Sequence, residues 1–241
     1  MRRATGRADT GSVLIADAVL ETIDVADFAL WPVAALPPYG FLALSGRMSM
    51  PEVGTAMAIL TDYNSGDSDD DHGLEDDRPA SDPAERVRRL ITTDHLIARG
   101  GVRLRDTGTG VTVNPGCCCG LEDWHEWFGI PNGDLPWLGH DPSPRIEPAG
   151  QAGHAIRLWP DGGDADEAPS TDPIELALAD LPGMLGTVRD ALRGFLSLVE
   201  QWADRYVPSL GGELTARIEA ALSPPGSCAL PPGGWPRTVP D

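Results

Sequence analysis

Three consecutive cysteines, Cys117, Cys118 and Cys119, followed by His125 and His140, form the densest group of chemically capable side chains in the sequence. Thiolate sulfur and imidazole nitrogen are the donors that zinc prefers, so these five residues are the candidate metal ligands. Adjacent residues of a strand point to opposite faces, however, and no Cys-x-x-Cys pair helps the three sulfurs to converge on one tetrahedral ion. A thiol-redox reading competes: a cysteine just ahead of a helix would face the helix's positive end, which lowers its pKa and raises its reactivity. In the third reading the three are small, soft residues packed at a strand-to-helix junction. Cys228 stands alone in a Pro-rich stretch and reaches the triplet only if that stretch folds back.

Other motifs are incomplete. His140 and Asp141 lie in a proline-stiffened Leu138–Pro144 turn, and a His held by a carboxylate is a recurring general base. Yet the chain has neither a G-x-S-x-G nucleophile elbow nor an HExxH zinc helix. Asp67, Asp69 and Asp71 begin like a calcium loop, but His72 takes the place of the required glycine and Arg78 that of the bidentate glutamate. Trp124, Trp127, Trp137 and Trp159 suit core packing more than a ligand pocket.

Elements that would position these residues follow from periodicity and turn chemistry. Strands are expected at residues 12–20 and 40–47, with residues 50–60 open to either strand or short helix. Residues 62–85 hold ten acidic side chains against one basic, Arg78, and read as a mobile acidic loop. Asp82, Pro83 and Glu85 have the pattern of a capping box, which predicts a helix to about Ile91 with Val87, Leu90 and Ile91 inward. Val102 and Leu104, then Val111 and Val113, alternate on either side of residues 106–110 as in a β-hairpin, and the cysteines follow its second strand. A short helix at residues 121–128, strands at 144–148 and 154–159, a second acidic loop at 161–172 and a strand at 174–178 complete the middle of the chain.

The strongest pattern is C-terminal. Leu181, Met184, Leu185, Val188, Leu192, Phe195, Leu196, Val199, Trp202 and Tyr206 keep three-and-four spacing, which predicts a long helix capped by Asp180 with Pro182 in its first turn. Pro208, Gly211 and Gly212 break it, and Leu214, Ile218 and Leu222 predict a second helix folding back as a hairpin. The expected fold class is therefore α+β. A mostly antiparallel sheet packs against a C-terminal helical hairpin in a single domain over residues 1–222, with mobile acidic loops at 62–82 and 161–172 and a Pro/Gly-rich tail at 223–241.

Composition narrows the function. The chain has 241 residues, a formal charge of −19 and a pI near 4.4. Nucleic acid is thereby disfavoured as a ligand, because replacing its condensed counterions takes basic side chains. All 18 basic residues are Arg. Without lysine there is no Schiff base and no Walker A or kinase-type lysine. The apolar stretch at residues 13–20 is short and interrupted by Asp17, and prolines 32, 37 and 38 break the uncharged run at 28–46. No membrane segment is expected, and a cytoplasmic location is the default. Contiguous cysteines also differ from a secreted disulfide framework.

Arg105-Asp106-Thr107 through the cysteine triplet, Leu121-Glu122-Asp123-Trp124, Trp137-Leu138-Gly139-His140-Asp141-Pro142-Ser143-Pro144 and Leu181-Pro182-Gly183-Met184-Leu185 resemble a family of actinobacterial hypothetical proteins. The resemblance covers about the C-terminal half and leaves residues 1–80 outside it. No activity is assigned to that family, so the resemblance implies no site residue.

With no complete catalytic signature, the first expectation is a non-enzymatic, acidic intracellular interaction protein with an unidentified protein partner and no cofactor, by analogy with acidic immunity proteins. The alternative is a metal- or thiol-site protein built around Cys117–Cys119 with His125 or His140, zinc being the metal. A hydrolase using His140 and Asp141 ranks third.

Overall fold

A computed structural model describes residues 13–65, 82–162 and 172–223. Most of the two expected acidic loops, the calcium-like segment, Cys228 and the C-terminal tail lie outside the described residues. The α+β class is as expected, with one difference: the strands form two antiparallel sheets instead of one.

In the first sheet, β1 (Leu14–Glu21) lies between β2 (Phe41–Ala43) and β3 (Gly100–Asp106), and β3 pairs with the short β4 (Thr112–Val113), giving the order β2-β1-β3-β4. The hairpin around residues 106–110 thus forms as its alternation predicts. Asp17 stands opposite Arg103 in the register and takes guanidinium contacts from Arg103 at 2.8 Å and Arg105 at 3.1 Å. Alternation puts Ala16, Ala18 and Leu20 on the other face, which is in the core. The second sheet, β5 (Arg145–Ala149), β6 (Ala155–Trp159) and β7 (Ile174–Ala177), is a three-stranded meander.

Residues 50–60, left open between strand and helix, are helical. The helix α1 (Met50–Tyr63) starts on a capping box in which Ser49 and Glu52 bond reciprocally to each other's backbone N–H. Val53 through Thr61 are all buried, so α1 is covered nearly all round. Its small residues Gly54, Ala56 and Ala58 allow that close approach, and Trp31 Nε1 donates to Gly54 O at 2.8 Å. The next helix, α2 (Pro83–Thr92), has the expected bounds, but Asp82 makes no side-chain cap bond and Glu85 pairs with Arg89 at 3.0 Å instead of closing a capping box.

The long α3 (Leu181–Tyr206) lays its stripe over β1 and α1, with Phe195, Val199 and Trp202 fully buried and the Trp202 ring edge-on to Trp31 at 5.0 Å. Asp180 precedes its first turn without the expected side-chain cap bond. The helix breaks at residues 207–210, around Pro208 as expected, and Gly211 and Gly212 open α4 (Gly211–Leu222), which packs on α3, α2 and the segment following the cysteines. No helix among the described residues is long and apolar enough to cross a membrane.

Candidate metal centre

The segment after β4 runs Asn114-Pro115-Gly116 into the cysteines and is stitched down on both sides. Toward its C-terminal end, Gly100 N–H donates to Cys119 O at 2.9 Å and Leu121 N–H to Ala98 O at 2.7 Å, which ties residues 119–121 to the start of β3. Toward its N-terminal end, Gly116 N–H donates to Leu138 O at 2.7 Å, and Cys117 and His140 exchange backbone hydrogen bonds as an isolated antiparallel bridge. Cys117 and His140, 23 residues apart, are therefore cross-strand neighbours.

Two glycines permit this approach. A Cβ on Gly139 would stand 2.7 Å from Cys117 O and from the Gly116 backbone, and Gly139 adopts the left-handed φ of 88° that favours glycine. A Cβ on Gly116 would likewise meet Pro142 O at 2.5 Å. Any larger side chain at either position would hold the two strands apart.

Between the stitches sits Cys118, with a left-handed φ of 61° that is uncommon for any residue but glycine. This turn breaks the strand alternation that would send neighbouring side chains to opposite faces. Cys117 and Cys118 consequently share a side, with their sulfurs 3.9 Å apart. Cys117 Sγ lies 2.7 Å from His140 Nδ1 and 4.0 Å from Nε2. Donor atoms of Cys117, Cys118 and His140 all fall within 4.8 Å of one another, close enough to hold one metal ion.

Tetrahedral zinc, with sulfur at about 2.3 Å and nitrogen at about 2.0 Å, sets its ligands roughly 3.5 to 3.8 Å apart. The Cys117–Cys118 separation already matches. The 2.7 Å between Cys117 and His140 is a hydrogen-bond distance, and admitting an ion takes a parting of roughly 1 Å or use of Nε2.

The other two candidate ligands lie elsewhere. Cys119 Sγ donates to Trp137 O at 3.4 Å, and His125 Nδ1 is bonded to Glu122 O at 3.0 Å, one turn back in the 3-10 helix Leu121–Asn132. Only two of the three cysteines converge, because the turn at Cys118 can serve one neighbour and not both.

Charge around the triplet is negative. Burial, then the charges of Asp123, Glu126 and Glu122, push the Cys119 thiol up to about 11. Burial, with three carboxylates beside it, therefore works against activation of Cys119 by the helix N-terminus. Cys117 is also raised above the ordinary thiol value, first by partial removal from water and then by Cys118 and Asp141, with Arg99 opposing. Such surroundings disfavour a bare thiolate and favour a cation.

His140 lies 3.7 Å from Asp141 Oδ2. Its Nδ1 is engaged with the Cys117 thiol. Trp124 and Trp127 are core residues, as expected, and Trp124 Nε1 donates to Leu222 O at 2.7 Å, fixing the 3-10 helix to the end of α4. Trp137 departs from that expectation: it is 58% exposed, with its ring 6.0 Å from the His140 ring.

A separate groove of about 1320 Å³ runs between β1, β7 and the first half of α3. It contains none of the three converging donors, and its Arg103 and Arg105 both pair with the single carboxylate of Asp17. Comparison with protein-family models, with curated proteins and with solved structures gives no match.

Proposed function

We propose that this chain is a metal-site protein in which Cys117, Cys118 and His140 hold one zinc ion. The carrying observation is the convergence of two sulfurs and an imidazole, from segments 23 residues apart, within 4.8 Å. Two thiolates and an imidazole fit zinc or copper(I), and the two thiolates balance the charge of a divalent ion. Three donors leave a tetrahedral ion one position for solvent or a second ligand, unlike a closed four-ligand structural site. The cysteine side chains are exposed or half-buried, so an ion can enter without unfolding the chain. Isothermal titration of the reduced protein with zinc tests this reading: one site per chain, abolished in the Cys117→Ser, Cys118→Ser double variant, is the expected result.

The acidic interaction protein remains a second proposal, favoured by the charge of −19 and by the exposed Trp137. It requires a specific partner whose binding is lost in Trp137→Ala; binding unchanged by that substitution contradicts a role for this surface.

A further inference from the structure

We propose that Cys117 and Cys118 are a peroxide-operated release switch: oxidation joins them as a disulfide within the chain and frees the bound metal. This rests on the zinc reading above and adds regulation to the same site. Their sulfurs are 3.9 Å apart on one side of the backbone, brought there by the left-handed turn at Cys118, so a bond needs each to move by about 1 Å to reach about 2.05 Å. Cys119 is diverted to the Trp137 carbonyl, which leaves the 117–118 pair as the one pre-aligned pair among the described residues.

The chemistry balances with hydrogen peroxide as oxidant. Cys118, the exposed member, attacks a peroxide oxygen as its thiolate; the O–O bond breaks, the sulfur becomes a sulfenic acid, and hydroxide leaves and is protonated to water. Cys117 then attacks the Cys118 sulfur as its thiolate, the S–S bond forms, and a second hydroxide leaves as water. Two thiolates are oxidised by two electrons, one peroxide is reduced to two waters, and two protons come from solvent. Both sulfur ligands are consumed, and His140 alone does not retain the ion.

Reversibility follows from backbone geometry. Consecutive Cα atoms are about 3.8 Å apart, below the roughly 4.4 to 6.8 Å usual for disulfides, so a bond between neighbours is strained and readily reduced.

The test uses the full chain loaded with one zinc and titrated anaerobically with hydrogen peroxide, reading released zinc with a chromogenic chelator, free thiols by reaction, and bond position by peptide mapping. The expected result is one zinc released as two thiols disappear, a loss of about 2 Da on disulfide formation, a Cys117–Cys118 bond, and recovery on reduction. The Cys119→Ser variant should respond alike. Zinc retained after two thiols are lost, a disulfide to Cys119 or to a second chain, or direct oxidation to sulfinic acid overturns the switch and leaves the site intact. No zinc on the untreated chain overturns the site reading itself.

Discussion

The Cys117 thiol lies 2.7 Å from Nδ1 of His140 because a two-residue backbone bridge pairs them across 23 residues of sequence. The pairing depends on Gly116 and Gly139 lying against each other without side chains, and on Cys118 turning its own thiol back to the same side. The metal assignment predicts different behaviour from each residue of the triplet and from each of the two histidines.

Ligand substitutions separate the candidates. Cys117→Ser, Cys118→Ser and His140→Ala should each weaken zinc by more than about 100-fold, since each removes one of three donors. Cys119→Ser and His125→Ala should bind within about threefold of the parent chain, because neither side chain joins the cluster. Competition against a chelator of known affinity gives both sets of numbers. Equal losses in all five variants would point to unfolding instead of coordination.

Zinc affinity should rise with pH between about 6 and 8. Zinc takes Cys117 as its thiolate, and the raised thiol value means that the proton is still in place near neutrality and must be displaced. Each displaced proton is worth about tenfold in affinity per pH unit, so the Cys117 proton alone gives up to about 100-fold across those two units. A flat profile measured by competition at several pH values contradicts coordination by these cysteines.

Gly139→Ala tests the bridge. The new Cβ meets the Cys117 carbonyl and the Gly116 backbone, and the left-handed φ adds about 1 to 3 kcal/mol of strain. The expected outcome is a stability loss of that order by urea unfolding, together with zinc binding weakened more than about tenfold. Unchanged zinc affinity would show that the close approach is not required.

Phe195→Ala should destabilise the fold by about 3 to 5 kcal/mol, because a fully buried ring at the middle of α3 leaves a cavity where the helix meets the sheet. Urea unfolding checks this. A loss under about 1 kcal/mol would mean that α3 is not the cover of this core.

Legibility of the fold tracked amphipathicity. The α3 stripe and the 102–113 hairpin show one buried and one wet face, and both could be read from spacing alone. In α1 nine consecutive residues are buried, so no apolar periodicity survives, and its local signals are the Ser49–Glu52 capping box and Pro51 in the first turn. At Asp82 the same kind of signal correctly marked a helix start while the box bonds did not form. Within the triplet the donors were visible, but which of them converge was not. That depends on a left-handed turn at Cys118 and on a glycine contact between segments, neither of which leaves a periodic trace. His125, close in sequence, lost to His140 because the first turn of a 3-10 helix directs it back to Glu122.

The most direct measurement is metal content together with zinc-edge X-ray absorption on protein purified anaerobically without added metal. The account predicts about one zinc per chain, with two sulfur ligands near 2.3 Å and one imidazole nitrogen near 2.0 Å. Absence of metal both as purified and after incubation with zinc, or a zinc whose shell lacks sulfur, contradicts it.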